Sequence, residues 1–376
     1  VRVVVINQHL EEVTGGSELQ CDLVARGLSD RGHDVTYLAI AGRGAARSVG
    51  PYRRESVTPG AADVLAACRR ISPDVVYWRY GRDLLAQVAR GLAHEGVPLV
   101  LAVAHVDDVT RLARSRRPAS RAPRAVAGWV RGQLRSVRSY RALRHVAAIA
   151  SQRVDLLDVA PVARQRVVRN LLGPDLLARA ARDDVPTPPD RPYVAWVGNL
   201  KPRKRPELCL VLADALAPLG IDVLMAGGVQ DEASGRLVRP DPDRPNLRHL
   251  GLLPRDEVLE LLAGARCTAI TYRPEGFSNV LLQSWALGTP TVSLDYDPDG
   301  LVAAEGLGGF ADGDLATFVD MVVGIASDDT SRAVASRAAR AVIEASFDDE
   351  RSLDELERLF VEVSGVDRGR DAQRHG

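Results

Sequence analysis

Apolar residues along the chain follow two alternating patterns. Short aliphatic, β-branched runs read as strands buried on both faces: Val1–Ile6, Val35–Ile40, Val75–Trp78, Pro98–Val103 and Ala147–Ala150, then Tyr193–Val197, Asp222–Ala226, Leu247–Leu250, Cys267–Thr271 and Thr291–Leu294. Between them lie stretches with helical spacing. Ser17–Arg31 carries Leu19, Leu23, Val24 and Leu28 on one face, and Ala61–Arg70, Leu84–His94, Val126–Arg144, Ala333–Ala345 and Asp349–Val363 follow the same rule. Strand–helix alternation of this kind predicts a doubly wound parallel sheet, and here it occurs twice without a strict repeat. Arg182–Pro192 interrupts it with four prolines in eleven residues and reads as a linker. The expected organisation is α/β: an N-terminal Rossmann-like domain over 1–187, a second over 188–347, and a closing helix and tail over 348–376.

Composition narrows the class. At 376 residues the chain exceeds one ordinary core. No apolar run is long enough to span a bilayer, and the opening strand pattern leads us to expect no signal peptide. Cys21, Cys68, Cys209 and Cys267 are far apart and form no Cys-x-x-Cys pair. That argues against structural zinc and a disulfide framework, and points to a reducing cytoplasm. The formal net charge is zero, but residues 1–187 hold 29 cationic against 18 acidic side chains (net +11), and the remainder 20 against 31 (net −11). Eleven of the arginines lie between Thr110 and Arg144, a stretch without an acid. It reads as an Arg-rich loop followed by a helix. Stacking aromatics are scarce there, so nucleic acid is not expected as a partner.

Candidate chemistry centres on Tyr272–Pro290. A loop bearing Glu275 runs into a short apolar helix that starts at Ser278 or Asn279, both good N-caps, and ends at Gly288 ahead of Pro290. Backbone amides and the helix dipole at such an N-terminus suit a phosphate or a sugar hydroxyl. Gln283 falls on the second turn, in reach of the same ligand. A second cluster, Gly198-Asn199-Leu200-Lys201-Pro202-Arg203-Lys204-Arg205, follows the strand at Tyr193–Val197. Gly15-Gly16 sit in the first strand-to-helix connection, where glycine admits positive φ and close approach of a diphosphate. His105 follows the strand Pro98–Val103 and Arg79 follows Val75–Trp78. Asp295-Tyr-Asp297 and Asp241-Pro-Asp243 look like loop turns, so no metal site is expected.

Glu275-Gly-Phe-Ser-Asn-Val-Leu-Leu-Gln283-Ser-Trp-Ala-Leu-Gly-Thr-Pro290 resembles the Glu-x7-Glu signature of family-4 retaining glycosyltransferases, which have the GT-B fold of two Rossmann-like domains facing across a cleft. The resemblance implies that Glu275 contacts the donor hexose, that amides over Gly276, Phe277, Ser278 and Asn279 hold sugar hydroxyls and diphosphate, and that Gln283 takes the ribose-binding place of the second Glu. An amide there still pairs with a ribose hydroxyl but brings no charge. Asn199 stands where the family usually has Arg, with Lys201, Arg203 or Arg205 able to restore the charge, and Lys204 matches the Lys that clamps the leaving diphosphate. Gly15 and Gly16 match the N-terminal glycine loop and His105 the histidine facing the donor sugar; Arg79 is placed on the acceptor side.

The implied activity is a metal-independent, retaining transfer of a hexose from a nucleotide diphosphate sugar, UDP in preference to GDP, to an acceptor hydroxyl. No cofactor is implied beyond that co-substrate. The acceptor would be a glycan, a lipid-linked sugar or a small molecule, and the Arg-rich stretch suggests peripheral contact with an anionic membrane. The departures at Asn199 and Gln283 keep a rival open, a catalytically silent nucleotide-sugar-binding subunit; a nucleotide-sugar epimerase of the same fold is a second.

Overall fold

The computed structural model describes residues 1–13, 15–103, 105–112, 123–157, 161–182, 191–239 and 241–365. Part of the Arg-rich stretch (113–122), most of the proline-rich linker (183–190) and the tail lie outside them. The chain forms two compact units, Val1–Leu171 with the segment from Asp349 onward, and Leu172–Asp348.

In the first unit eight strands make one sheet: β1 (Arg2–Asn7), β2 (Asp34–Ile40), β3 (Arg47–Val49), β4 (Tyr52–Val57), β5 (Val75–Trp78), β6 (Leu99–Val103), β7 (Ala148–Ser151) and β8 (Gln165–Val167), in the order β3-β4-β2-β1-β5-β6-β7-β8. All pairs are parallel except the hairpin β3–β4. Helices α1 (Gly16–Asp30), α2 (Ala61–Ile71), α3 (Arg82–His94) and α4 (Pro123–Ala142) supply the crossovers. The central strands carry unbroken apolar runs because helices cover both faces: Val3, Val4, Val5 and Ile6 are all buried.

The hairpin escapes an apolar-run reading because β4 carries Arg53, Arg54 and Glu55. Arg54 is only 1% exposed. Its guanidinium pairs with Glu12 and Glu11 and donates to the Arg43 carbonyl, while Glu55 is held by Arg70 and Arg53. A buried charge is tolerated only when paired in this way.

The second unit opens with α5 (Pro174–Ala180) and builds a six-stranded parallel sheet from β9 (Tyr193–Val197), β10 (Asp222–Ala226), β11 (Leu247–His249), β12 (Thr268–Ile270), β13 (Thr291–Ser293) and β14 (Gly308–Phe310), ordered β11-β10-β9-β12-β13-β14. Helices α6 (Leu208–Leu216), α7 (Glu232–Leu237), α8 (Arg255–Ala263), α9 (Asn279–Ala286), α10 (Leu301–Ala304), α11 (Leu315–Ser327) and α12 (Asp329–Ser346) flank it. Its core is aromatic where the indole and phenol groups find partners. The Trp196 Nε1–H donates to Thr271 Oγ1 and the Trp285 Nε1–H to Thr291 Oγ1, each at 2.9 Å.

The last helix, α13 (Asp349–Ser364), belongs to the first unit. Leu353, Leu356, Leu359 and Phe360 enter the core beside Val3, Val5, Val24 and Leu28. Arg31 ties the helix from outside through Asp354 (2.8 Å), Glu357 (3.0 Å) and Glu350. Arg166 pairs with Glu355 and Glu362 on the same helix.

Candidate active site

In an open parallel sheet, ligands bind beyond the carboxyl ends of the strands where the strand order reverses. In the second unit that point falls between β9 and β12, because β10 and β11 lie on one side of β9 and β12, β13 and β14 on the other. The two stretches singled out in the sequence leave the sheet there, Gly198–Arg205 after β9 and Thr271–Asn279 after β12.

The stretches are bound to each other at several points. The Arg273 amide donates to the Arg203 carbonyl at 3.0 Å, the Thr271 hydroxyl to the Lys204 carbonyl at 2.5 Å, and the Arg203 guanidinium to the Pro274 carbonyl at 3.0 Å. Arg205 takes up a left-handed φ of +49° and spends its charge on Asp295 (3.2 Å) and the Thr271 carbonyl (2.5 Å). Lys201 and Arg203 are exposed, and Arg203 is the one drawn to the Glu275 loop.

Lys204 is the centre of this join. Its Nζ lies 2.7 Å from Glu275 Oε1 and 3.5 Å from the centroid of the Tyr272 ring. Burial pulls the ammonium's pKa down, and the Glu275 carboxylate opposes that pull. Tyr272 is fully buried, its phenol pushed well up by desolvation, and it donates to the Val197 carbonyl. The ring presents an uncharged face to the cation.

Around Glu275 the signature divides into core and site. Ser278 is the N-cap of α9, as expected, but its hydroxyl makes no capping bond, and its amide donates to the Tyr296 hydroxyl at 3.1 Å. Tyr296 in turn donates to the Gly276 carbonyl. Phe277 sends its ring into the core against Phe347 (5.2 Å) and Trp285 (6.0 Å), so only its backbone could serve a ligand. Gln283 is buried on α9 at 8% exposure. Gly288 closes the helix at φ +73°, the left-handed turn read from the sequence. Asn199 follows β9 half-buried, beside the close approach of Gly227 (φ +144°), where a Cβ would lie 2.0 Å from the Gly198 carbonyl oxygen.

The first unit has its own reversal point, between β1 and β5. A cavity of about 390 Å³ opens there, lined among others by Asn7, Ser17, Arg79, Arg82, His105 and Asp108. It brings together Arg79 and His105 from separate strands. The Arg79 Nη2 donates to Asn170 Oδ1 at 3.0 Å. The His105 Nδ1 accepts the Asp107 amide at 3.0 Å, which places the neutral ring's proton on Nε2. Arg82 donates to the Asp107 carbonyl at 2.7 Å and so braces the same turn.

Gly15 and Gly16 begin α1 next to this cavity, but positive φ is not their use: Gly15, the N-cap, is extended at φ −153°. A Cβ at Gly15 would lie 2.2 Å from a carboxylate oxygen of Glu18, which folds over the first turn. Burial raises the Glu18 pKa. The glycine makes room for that carboxyl group, a reason the sequence did not reveal.

Sequence reading also missed His9, in the β1–α1 connection. The Glu11 amide donates to Nδ1 (3.3 Å), Nε2–H donates to Tyr52 Oη (2.7 Å), and Tyr52 donates to Asp22 Oδ1 (2.5 Å). His9 is 2% exposed and burial lowers its pKa, so the neutral ring anchors the connection. Among the described residues no group of three or more His, Cys, Asp or Glu is placed to hold a metal ion, and no helix is long and apolar enough to cross a membrane. All four cysteines are buried free thiols.

Two parallel-sheet Rossmann-like units, each with its candidate site at the strand-order reversal, define the GT-B fold of glycosyltransferases. Residues 191–328 match the family described as "Glycosyl transferases group 1", so the resemblance read from Glu275–Pro290 holds at the level of a GT-B glycosyltransferase of this kind. The chain is 31% identical over 175 residues to D-inositol 3-phosphate glycosyltransferase of Mycolicibacterium smegmatis, a match covering 43% of this chain and 39% of the relative. The match thus spans well under half of that protein's length. Among solved structures, sucrose-phosphate synthase from Thermosynechococcus elongatus superposes with a TM-score of 0.75 at 15% identity over 97% of this chain and 99% of that one. Anabaena HepE, in complex with UDP and glucose, gives 0.68 at 16% over 95% and 98%.

Proposed function

We propose that the chain is a retaining, metal-independent glycosyltransferase that moves a hexose from a nucleotide diphosphate sugar to an acceptor hydroxyl. One observation carries this reading. The loops after β9 and β12 are bound together so that a partly buried Lys204 ammonium meets the Glu275 carboxylate at the reversal point of the second sheet. In this role Lys204 stabilises charge on the departing diphosphate, and such charge-assisted bonds are worth about 1.5–3 kcal/mol each. Glu275 orients the sugar hydroxyls, the amides from Gly276 to Asn279 other than that of Ser278 contribute donors, Arg203 stands in for the cation lost at Asn199, and Gln283 meets the ribose. UDP is the favoured nucleotide, in keeping with the ligand of the HepE structure.

The acceptor belongs to the cavity of the first unit. Arg79 and Arg82 suit an acceptor with a negative group, as in the phosphorylated polyol for which the mycobacterial relatives are named. His105 offers an Nε2 proton to a hydroxyl. Transfer on the leaving-group face assisted by the phosphate is the mechanism this reading favours. The free thiols suit a reducing compartment, so we place the reaction in the cytoplasm.

Release of free nucleotide tests the reading. Incubated with UDP-glucose alone, the wild-type chain is expected to release UDP slowly, and Glu275→Ala to release it about a hundredfold more slowly. UDP should raise the unfolding temperature of both proteins. Binding without any release, equal in the two proteins, would leave a nucleotide-sugar-binding subunit instead.

A further inference from the structure

Helix α4 packs against α3. Its inward side carries Ser136, Ser139 and Ala142, buried, and Tyr140, half-buried against the core. Ser136 (0% exposed) takes a hydrogen bond from Arg82 at 3.2 Å, and Ser139 (2%) donates to the Arg82 carbonyl at 3.4 Å. Two aliphatic side chains point the other way: Val130 is 41% and Leu134 55% exposed. At 100° per residue, Ala127, Val130, Leu134 and the exposed Arg131, Arg138 and Arg141 share one outward face. Around that face the two kinds interleave: Arg141 falls between Val130 and Leu134, and Arg138 and Arg131 lie beyond Ala127.

That arrangement matches an anionic bilayer surface. Val130 and Leu134 reach the acyl boundary while the arginines spread to the headgroups, their stems lying along the apolar region. Sequence composition supports the charge half of the match, since no acid occurs from Thr110 to Arg144. A nucleic acid would use the arginines but leave an aliphatic strip between them without a partner, so the exposed leucine and valine favour lipid.

We infer that the outward face of α4 is a peripheral docking surface for anionic phospholipid. Such a surface holds the first unit against the membrane by an interfacial helix, whatever reaction the chain performs.

Sedimentation of the full chain with vesicles tests this. Vesicles with about one-third phosphatidylglycerol should carry the protein down, and pure phosphatidylcholine vesicles should not. Raising salt from about 0.05 to 0.3 M should weaken binding at least tenfold. Val130→Ser with Leu134→Ser should weaken it about tenfold at constant salt, and Arg131→Gln with Arg138→Gln and Arg141→Gln by more. All five positions are exposed, so circular dichroism and the unfolding temperature should be unchanged. Equal or absent binding to the two vesicle types overturns the inference. So does anionic-vesicle binding that the arginine variants abolish and the serine variants leave intact, because the aliphatic strip would then have no role.

Discussion

Lys204 and Glu275 hold each other across 71 residues of sequence, and each is costly to leave alone. Lys204→Met or Glu275→Gln is expected to cost about 1–3 kcal/mol of stability. The double variant should cost less than the sum, since neither charge is then stranded. Urea denaturation of the four proteins measures the coupling. The pH dependence has a definite sign. Burial lowers the Lys204 pKa and Glu275 opposes this, so removing the carboxylate lowers it further. Between that folded value and the ordinary lysine value near 10.4, the unfolded chain binds the extra proton, so stability rises with pH there. Glu275→Gln should therefore recover stability relative to wild type as pH is raised toward about 10, and Lys204→Met should not. The contrast is clean because Lys201 is the only other lysine in the chain.

At the scale of the element, the site depends on how closely the turns after β9 and β10 approach. Gly227→Ala would place a Cβ 2.0 Å from the Gly198 carbonyl oxygen at a φ of +144°, and both groups are backbone, so neither can swing away. A loss of about 2–4 kcal/mol is expected from the forced shift. The variant should also lose the stabilisation by UDP, because Asn199 moves with its neighbour; thermal unfolding with and without UDP checks both. Gly228→Ala, whose nearest neighbours lie 3.5 Å away, is the mild control.

Elements of this kind were legible in the sequence to different degrees. The long apolar strands were plain because only burial on both faces explains four successive Val, Ile or Leu residues. β4 was not, because Arg54 and Glu55 become acceptable inside only through partners such as Glu12 and Arg70. Phe277 reads as a site residue by its place in the signature, yet its ring belongs to the core, and only distances to Phe347 and Trp285 could show that. His9 left no mark, since its meaning depends on Tyr52 and Asp22, which the fold brings to it. The meeting of Lys204 and Glu275 could be anticipated only through resemblance; no local pattern links residues so far apart.

On the scale of the whole molecule, the first unit is completed by the distant α13. Four large apolar side chains of that helix are buried in its core, at about 1.5–3 kcal/mol each. Their sum is comparable to the entire stability of an ordinary domain. A chain ending at Asp348 should retain the second unit's cooperative unfolding and its response to UDP. The first unit of that chain should be largely unfolded and open to protease, as limited proteolysis with mass spectrometry would show. Supplying the Asp349–Ser364 peptide in excess should restore part of the protection.

The same feature sets an order of events while the chain is being made. As it leaves the ribosome, the segment up to Leu171 is exposed long before the helix that completes its core has been translated. The whole of Leu172–Asp348 emerges first and can fold as soon as it clears the exit tunnel. For that interval the nascent first unit displays the apolar faces of β1 and α1, and a holdase has its best opportunity to engage. Only when α13 itself has emerged can the core of the first unit close over those faces.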